Sequence, residues 1–471
     1  MNECDAKQSG VLSANDDGLS RAPTDVQVFS PKSQAYLDDV ETKVNKLSPA
    51  AVAERITALV QEHDLWRATA CLNMNPAEGL ISPRARALLA SDMAMRLTEG
   101  LPGDKTYPNY RQNRFIDEIE ATIIALVRRQ FGARYVEWRP TSNSMANAAV
   151  FFALLKPGDT IFVQDMDAGG NYSYQTCGPA GLTHARIATI PAVGKVFEID
   201  VDWVRTCAKK LQPKMIVIGG GKVLFPYPVR ELREIADGIG ALLVYDAAHV
   251  GLLISHGMFQ RPLQEGAHVV TLSTHKIMGG PVGGIVLTND PKMAKAIIGR
   301  TFPGLLQTRD QNKYAALAVG LAELDHFGTT LARATVANAA ALASAMTIEG
   351  FTVLARNGIH TQTHQCFLDL GDAAQTFDRR CQAVNILASD CALTGDLAKN
   401  RRSGMRFATH ELTRLGMGVA EMREVAQLIT RAIRDEADIA VITADVAALI
   451  SRFPGEAYSL GVSGRGGGIG D

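Results

Sequence analysis

The sequence lacks the features that mark secreted, membrane-spanning and nucleic-acid-binding proteins. Its seven cysteines are odd in number and contain no C-x-x-C pair, so we expect neither a disulfide framework nor a metal site. The N-terminus has no signal-peptide core, and no apolar run approaches the roughly 18 residues of a membrane span. The 48 Lys and Arg residues balance the 49 Asp and Glu residues, so the chain has no net positive electrostatic field that would bind a polyanion. These absences predict a cytoplasmic protein that binds no membrane and no nucleic acid.

What the sequence does contain is enough apolar material for several packed domains. It has 471 residues, of which 46% are hydrophobic and 21% charged, as in ordinary globular proteins. We predict an N-terminal arm with helices over 1–69, a large domain over 70–328 and a smaller α+β domain over 329–460. A flexible Gly-rich tail over 461–471 completes the division.

Short apolar runs alternate with helical patterns in the middle of the chain, which predicts a mostly parallel sheet covered by helices. The predicted strands are Tyr135–Trp138, Thr160–Val163, Ala185–Ile190, Met215–Ile218, Ala241–Tyr245 and Val269–Leu272. Period-3.6 patterns predict helices over Ser82–Leu97, Asn113–Phe131, Ser144–Leu155, Val229–Ile239, Ala315–His326, Val336–Glu349 and Met422–Ile442. Alternation over Thr361–Leu370 predicts an antiparallel strand in the smaller domain.

The strongest chemical motif is Ser273-Thr-His275-Lys276, which follows a predicted strand and precedes the glycine-rich stretch 279–284. Burial lowers the pKa of a lysine amine and favours the neutral nucleophile that condenses with an aldehyde. A plain surface lysine at a strand end is the alternative.

Two further segments point to the same chemistry. Asp246 ends a predicted buried strand and needs a cationic partner, which a protonated pyridine nitrogen would supply; an ordinary helix cap is the alternative. The run Thr141-Ser142-Asn143-Ser144 opens a helix, where hydroxyl and N–H groups bind phosphate, although a plain Ser cap has the same pattern. Together with Lys276 these segments indicate pyridoxal 5'-phosphate.

The ordered motifs resemble the serine hydroxymethyltransferase family. They are Thr98-Glu99-Gly100, Ser142-Asn143-Ser144-Met-Ala-Asn147, Asp246-Ala-Ala-His249, Thr274-His275-Lys276 and Ser403-Gly404-Met-Arg406. The resemblance implies an α/β fold of the aspartate-aminotransferase (fold-type I) class, with a mostly parallel sheet of the seven-stranded type and a smaller C-terminal α+β domain. It also implies aldol-type cleavage or formation of the Cα–Cβ bond of β-hydroxy-α-amino acids.

The resemblance further implies roles for individual residues. Lys276 would bond covalently to the cofactor, Asp246 would pair with its ring nitrogen, and His249 would lie near its phenolic oxygen or phosphate. Arg406 would bind the substrate carboxylate with Tyr107 nearby, and Glu99 would move the β-hydroxyl proton. The remaining cofactor-binding residues would be Ser142, Asn143, Ser144, Asn171, Ser273 and His275.

Several positions depart from the family pattern. Asn171 replaces the histidine that stacks on the cofactor ring, so Tyr172 or Tyr174 would have to supply that surface. The Gly-Gly pair that reaches a neighbouring subunit's phosphate is Gln307-Thr308 here. The asparagine-rich loop that helps to hold folate is short, which makes tetrahydrofolate a doubtful second cofactor. Other short motifs, among them Trp138-Arg-Pro140, resemble the L-threonine transaldolases. The related 2-methylserine hydroxymethyltransferases and aldolases remain alternative branches of the family.

Two alternatives to this enzyme remain from the sequence. The first is a degenerate homologue that binds the cofactor without turnover; Glu99, Lys276 and Arg406 count against it. The second is nucleotide binding through Gly219-Gly-Gly-Lys222, but Lys222 is followed by Val223 rather than Ser or Thr, and the glycine spacing is wrong for a P-loop. Family analogy also implies a homodimer with composite active sites.

Overall fold

A computed structural model describes residues 28–434 and 438–461. The chain divides into two units at Ala70 and Cys71. The first unit has two helices, α1 (Pro31–Val44) and α2 (Pro49–Ala70), and neither contains a buried residue. Ser30 caps α1, because its side chain accepts a hydrogen bond from the N–H of Ser33. Residues 1–27 of the predicted N-terminal segment and residues 462–471 of the predicted tail lie outside the described residues.

The helices and strands of the second unit follow one another along the chain in an α/β order. The helices are α3 (Pro83–Leu88), α4 (Asn113–Phe131), α5 (Asn143–Leu154), α6 (Pro179–Leu182), α7 (Val201–Leu211), α8 (Val229–Ile239), α9 (Gly251–Ser255), α10 (Pro262–Glu265), α11 (Pro291–Gly299), α12 (Gln311–Ile348), α13 (Ala374–Ala383), α14 (His410–Arg414), α15 (Val419–Arg434) and α16 (Ile439–Ser451). The strands are β1 (Leu72–Asn73), β2 (Gly100–Leu101), β3 (Asp104–Lys105), β4 (Tyr135–Glu137), β5 (Thr160–Gln164), β6 (Arg186–Ile190), β7 (Ala192–Val193), β8 (Glu198–Ile199), β9 (Met215–Gly219), β10 (Leu242–Asp246), β11 (Val269–Ser273), β12 (Gly284–Thr288), β13 (Thr352–Val353), β14 (Gln365–Asp369), β15 (Ile386–Leu387), β16 (Ser389–Cys391) and β17 (Gly404–Ala408).

The central sheet has seven strands in the order β4-β12-β11-β10-β9-β5-β6. Strand β12 runs antiparallel to both of its neighbours, and the other pairs are parallel. Strands β9, β11 and β12 are buried along their whole length, as expected of a sheet covered on both faces. The predicted mostly parallel sheet is therefore present, with β12 as the strand that the sequence patterns missed.

A second sheet, which is antiparallel throughout, has the order β13-β14-β17-β16. Its core includes Met405 and Phe407 of β17, which pack with Leu342 of α12 and Ile429 of α15. A smaller cluster joins Phe367 of β14 to the loop before β8, where the rings of Phe197 and Phe367 lie 4.7 Å apart. The division of the chain at residue 328 stays a prediction.

Helix α12 corrects the prediction of two separate helices over Ala315–His326 and Val336–Glu349. The structure has one continuous helix of 38 residues that includes both. Alanine is frequent along it and favours helix, and Gly328 keeps its place because a Cβ there would lie 2.2 Å from Nε2 of His256. Close packing, rather than a helix break, explains this glycine.

Two other predicted helices are interrupted. Ser82–Leu97 is the short helix α3 followed by a 3₁₀ turn over Asp92–Met95, and the amide of Asn312 donates to the carbonyl of Leu89 beyond the end of α3 at 2.6 Å. The predicted Met422–Ile442 is divided between α15 and α16, because the Asp438 side chain accepts from the N–H of Ala440 and begins a new helix. The strand predicted from Thr361 begins only at Gln365.

Among the described residues, α12 is the one helix whose length and apolar composition would suffice to cross a membrane. Half of its most apolar segment is buried inside the protein. It contains buried polar residues such as Glu323 and Asn338, whose side chains contact α14 and its flanking residues through Arg414, Thr413 and Met417. This burial is that of a core helix.

We predict that Ile429→Ala lowers the free energy of unfolding by about 2–5 kcal/mol, because it leaves a cavity in the core beside α12. Ile348→Ala is the matched control, since Ile348 is 80% exposed and should change stability by less than about 0.5 kcal/mol. Urea unfolding at a fixed cofactor concentration measures both. Equal midpoints for the two variants would contradict the packing described for α15.

Candidate active site

The carboxylate of Asp246 lies at the end of β10, where the side chain is only 2% exposed. The amide of Asn143 donates to both of its oxygens at 3.1 and 3.0 Å, and the amide of Asn147 donates to Oδ2 at 2.9 Å. The backbone N–H of Ala248 adds a fourth bond, at 3.0 Å to Oδ1. Within the described ranges no lysine, arginine or histidine forms an ion pair with Asp246. The carboxylate is thus hydrogen-bonded but not charge-compensated by a protein cation.

Helix α5 brings the two amides to Asp246. Ser142 caps this helix, since its Oγ accepts from the N–H of Met145 at 3.1 Å. Asn143 and Asn147 stand four residues apart and therefore lie on one face of α5. Ser144 is exposed at the first turn, beside the N–H groups of a helix start. Ser142 can therefore cap the helix and also bind phosphate. The amide of Asn143, in contrast, is directed to Asp246.

Asn147 is a site residue that sequence reasoning quoted in a motif but gave no role. It is fully buried, donates to Oγ of Ser173 at 2.8 Å as well as to Asp246, and accepts from Oγ1 of Thr271 at 2.7 Å. This network fixes the orientation of the amide that holds Asp246. The four-residue spacing from Asn143 was the signal that could have found it.

Lys276 follows β11 and is half-buried. The chain passes close to it at Gly79, where a Cβ would lie 2.1 Å from the carbonyl oxygen of Lys276. Burial lowers the pKa of its amine to about 8; the charge of Asp246 raises that pKa and the charge of Arg406 lowers it. Its amine has no hydrogen bond or ion pair to any other described residue. The structure therefore places a partly deprotonated, unpaired amine within electrostatic reach of Asp246.

The residues before Lys276 also form part of this site. Oγ of Ser273 and Nδ1 of His275 are 3.0 Å apart. Burial, with a smaller effect of the Lys276 charge, lowers the pKa of His275 to about 4, so its imidazole is neutral near pH 7. A neutral imidazole here adds no charge that would compete with Lys276.

Arg406 of β17 approaches the same site from the second sheet. One of its guanidinium nitrogens donates to the carbonyl of Gly221 at 2.9 Å, and Nε contacts Oγ of Ser389 at 3.4 Å. Burial lowers the pKa of this guanidinium. In the part of the chain that the structure describes, no carboxylate forms an ion pair with Arg406. A half-buried guanidinium without a carboxylate can bind one from a ligand.

Three buried imidazoles form a cluster, and the charges of Lys276 and Arg406 act on two of them, His249 and His364. The rings of His249 and His364 are nearly parallel at 6.3 Å, and His364 meets His410 edge-on at 5.2 Å. The amide of Gln365 lies 3.5 Å from both Nδ1 of His249 and Nε2 of His364. Burial lowers the pKa of each histidine, to about 4 for His410, so all three are neutral near pH 7. Sequence reasoning predicted only His249 among them.

Three predicted site residues are not brought into this cluster. Glu99 is 8% exposed, yet no contact of its side chain with Lys276 or Arg406 is present among the described residues. Tyr107 is 44% exposed and stacks on Tyr110 at 5.4 Å. Asn171 caps the short 3₁₀ helix that follows it, through a bond from the N–H of Ser173.

The two tyrosines considered as a replacement for the stacking histidine have very different surroundings. Tyr174 is fully buried in the core beneath the sheet, and its hydroxyl donates to the carbonyl of Gly219 at 2.5 Å. Tyr172 is 65% exposed. Tyr174 is therefore a structural residue at the end of β9, and Tyr172 faces solvent.

Lys222, the lysine of the candidate nucleotide-binding segment, is buried within the protein. It is 9% exposed, its amine donates to the carbonyl of Ala392 at 2.7 Å, and it lies 5.0 Å from the ring centre of Phe197. The preceding glycines serve chain packing, because a Cβ at Gly219 would lie 2.1 Å from the carbonyl oxygen of Asp246. Tertiary packing thus explains the segment that resembled a nucleotide loop.

These groups fit pyridoxal 5'-phosphate together with an amino-acid substrate. Among the residues that the structure describes, Asp246 has no ion-pairing cation, the amine of Lys276 has no hydrogen-bond partner, and Arg406 has no ion-pairing carboxylate. Oδ1 of Asn143 is also buried without a hydrogen-bond partner beside Asp246. A protonated pyridine nitrogen, an aldehyde and a substrate carboxylate are the complements of the first three groups.

Comparison with known proteins agrees with this fit. The family model for serine hydroxymethyltransferase matches residues 51–429. The chain belongs to the serine hydroxymethyltransferase family. A serine hydroxymethyltransferase of Methanopyrus kandleri is 37% identical over 410 residues, which cover 86% of this chain and 95% of the relative.

Two other relatives widen the family context. An alpha-methylserine aldolase of Ralstonia sp. is 35% identical over 398 residues, covering 84% of this chain and 90% of the aldolase. The crystal structure of L-threonine transaldolase from Pseudomonas fluorescens superposes with a TM-score of 0.79 at 22% identity, covering 90% and 96% of the two chains. These matches confirm the predicted family, the fold class, pyridoxal 5'-phosphate as cofactor and an enzyme of the aldol-type transferase class.

We predict that Lys276 in the cofactor-free protein reacts with acetic anhydride as an amine of pKa about 8. The neutral amine is the nucleophile, so labelling should rise through pH 8, well below the pKa of ~10.4 of a free lysine side chain. Peptide mass spectrometry measures the extent of Lys276 labelling as a function of pH. A free lysine analogue, labelled under the same conditions, gives the reference curve.

Two variants test the cause of this shift. Asp246→Asn should move the labelling curve of Lys276 to lower pH, because the Asp246 charge raises the pKa of the amine. Arg406→Met should move it to higher pH, because the Arg406 charge lowers that pKa. A labelling curve of Lys276 that coincides with that of the free lysine analogue would contradict a pKa lowered by burial.

Proposed function

We propose that the chain cleaves and forms the Cα–Cβ bond of β-hydroxy-α-amino acids, with an aldehyde as the carbon fragment that is released or accepted. The observation that supports this most directly is the convergence of Asp246, Lys276 and Arg406, each without a charge partner among the described side chains. The bound cofactor would supply the electron sink that stabilises the carbanion left at Cα. The chain's own residues would bind the cofactor and the substrate and would transfer the β-hydroxyl proton.

Each residue has a role that suits its surroundings. Asp246, held by the amides of α5, would keep the ring nitrogen protonated. Lys276 would attack as a neutral amine near pH 8 and hold the cofactor covalently between turnovers. Arg406 would bind the substrate carboxylate and orient the breaking bond, and Glu99 would take the β-hydroxyl proton.

The helix start of α5 would hold the cofactor phosphate. Ser142, Ser144 and the N–H groups at the start of the first turn suit an anion, because the positive end of the helix dipole lies there. Ser273 and His275 would lie at the other side of the cofactor, after β11. Asn143 would act on Asp246 rather than on the phosphate, since both of its amide bonds go to that carboxylate.

An aldehyde as the second substrate is favoured over tetrahydrofolate by the departures from the family pattern. Among these departures, the loop before Arg406 is shorter than the family's asparagine-rich stretch, which helps to hold folate. Folate-dependent transfer from serine is the second candidate, supported by the 37% identity to a serine hydroxymethyltransferase. The intact Lys276, Asp246 and Arg406 argue against a homologue that only binds the cofactor.

We further propose a cytoplasmic homodimer with composite active sites. The exposed aromatic side chains of Tyr107, Tyr110 and Phe115 would face a second copy. In that arrangement Glu99 and Tyr107 of one subunit would serve the cofactor of the other, which accounts for the lack of contact between Glu99 and Lys276 within one chain. A sedimentation mass of 50.6 kDa, that of a single chain, would contradict the dimer. Recovery of the native protein from a membrane or extracellular fraction would contradict the cytoplasmic assignment.

We predict that Arg406→Lys raises KM for the amino acid by roughly 10- to 100-fold, the effect of about 1.5–3 kcal/mol from a charged hydrogen bond. The absorption of the bound cofactor should not change, because Arg406 would contact the substrate. Steady-state kinetics with a cofactor spectrum measure both quantities. Arg402→Lys is the matched control, since Arg402 is exposed and pairs with Asp390 at 3.1 Å; an equal rise in KM there would contradict the role of Arg406.

We also predict that aldehyde is released from L-threonine, L-serine or 2-methylserine without tetrahydrofolate. Each amino acid is incubated with the holoenzyme, with and without tetrahydrofolate, and the aldehyde is trapped and quantified. Lys276→Ala should release none. Strict folate dependence with serine would overturn the aldehyde proposal, and no release from any substrate under either condition would favour the binding-only homologue.

A further inference from the structure

The hairpin formed by β2 and β3 carries Glu99 at its start. The carbonyl of Glu99 accepts from the N–H of Thr106 at 3.0 Å, and Gly100 pairs with Lys105 across the two strands. Gly100 has a φ of +98°, and a Cβ there would lie 2.5 Å from the carbonyl of Asp104. The backbone around Glu99 is therefore tightly defined, although its two strands have only two residues each.

One side of this hairpin is anchored by Lys105. Its amine forms an ion pair with Glu120 of α4, and Asp117 lies one turn earlier on the same helix at 3.2 Å from the amine. The side chain of Lys105 is 1% exposed and that of Glu120 is fully buried. Lys105 stands opposite Gly100, so this ion pair ties the returning strand to α4.

The other side is anchored by Arg309, which precedes α12. One guanidinium nitrogen donates to the carbonyl of Thr98 at 2.8 Å, directly before Glu99. The same nitrogen lies 3.9 Å from Oε1 of Glu120. The Arg309 side chain is fully buried between the rings of Phe302 and Tyr314, at 5.7 and 6.0 Å from their centres.

Glu120 thus connects two buried cations near Glu99. Lys105 belongs to the hairpin itself, and Arg309 contacts the residue directly before Glu99. Such a cluster is costly to build, because burying charges loses hydration that ion pairing only partly returns. Burial raises the pKa of Glu120, and Lys105 and Arg309 lower it. If the cluster served only to pack α4 on α12, an apolar contact would do so at lower cost, and the bond from Arg309 to the Thr98 carbonyl would have no purpose.

We propose that Arg309 and Lys105, linked through Glu120, are positioning residues that fix Glu99 for proton transfer. This inference rests on the proposed role of Glu99 in Cα–Cβ cleavage. A catalytic carboxylate on a short hairpin needs such support, because a displacement of about 1 Å can cost about 10²-fold in rate.

The test compares Arg309→Met with Arg309→Lys, each in the wild-type and the Glu99→Gln backgrounds. Arg129→Met is the matched control, because Arg129 pairs with Asp325 at 2.6 Å and also links α4 to α12, but it is exposed and does not contact the hairpin. The holoenzymes are assayed for cleavage kcat, glycine binding and amide hydrogen exchange over residues 98–106. Circular dichroism checks that each variant is folded.

Arg309→Met should lower kcat for cleavage by roughly 10- to 100-fold, leave the glycine dissociation constant within about 2-fold, and raise exchange over 98–106. Arg309→Lys should recover part of the loss, and Arg129→Met should change none of the three readouts. In the Glu99→Gln background, Arg309→Met should add less than about 2-fold, because the residue that it positions is already disabled.

The outcomes separate this inference from the proposed function. If Glu99→Gln keeps wild-type kcat, the proposed role of Glu99 is wrong, and the inference fails with it. If Glu99→Gln loses activity but Arg309→Met does not, or if Arg309→Met lowers kcat equally in both backgrounds, the positioning inference fails and the role of Glu99 survives. Unchanged hydrogen exchange over 98–106 in Arg309→Met would also overturn it. Where Arg309→Met does not fold, Arg309→Lys with raised exchange and lowered kcat supports the inference, and wild-type values refute it.

Discussion

The structure of the site depends on one buried carboxylate, that of Asp246, with which no lysine, arginine or histidine of the described residues forms an ion pair. Asp246 sits at the carboxyl end of a central strand, and its oxygens are occupied by amide donors from α5 and by its own turn. Amides orient a carboxylate and lower the cost of burying it, but they leave its negative charge in place. The charge is therefore available to a cation that enters from outside the chain, such as a protonated ring nitrogen.

The charge of Asp246 also acts on Lys276, whose pKa is raised by one neighbour and lowered by another. Burial and Arg406 favour the neutral amine, and Asp246 favours the charged one, with a resulting pKa of about 8. The neighbouring imidazoles are kept neutral by burial, so they do not add to the positive charge of the site. Reactivity at Lys276 is thus set by burial and by the balance of two charged groups, Asp246 of β10 and Arg406 of β17.

A second buried charge cluster lies away from this centre, around Glu120. It involves α4, the hairpin of β2 and β3, and the start of α12, and its contacts fall on the residues that flank Glu99. The two clusters differ in how the carboxylate is paired. Among the described residues, Asp246 receives hydrogen bonds from amide and backbone donors alone, whereas Glu120 forms an ion pair with Lys105 and lies 3.9 Å from Arg309. This contrast explains why a buried ion pair at Glu120 and an unpaired carboxylate at Asp246 occur in one protein.

Local patterns were sufficient to predict the family, the order of parallel strands and helices, and the candidate positions Lys276, Asp246 and Arg406, because strand periodicity and short motifs are local properties of the chain. It also located α4 and α8 to the residue, since their amphipathic patterns end at glycine caps. Contacts between distant parts of the chain, in contrast, keep α12 continuous through Gly328 and bury Lys222. They also bring Asn147 to Asp246 and His364 to His249. These features depend on contacts between residues far apart in the chain, such as the 211 positions between Thr98 and Arg309, and no local pattern encodes which distant groups will meet.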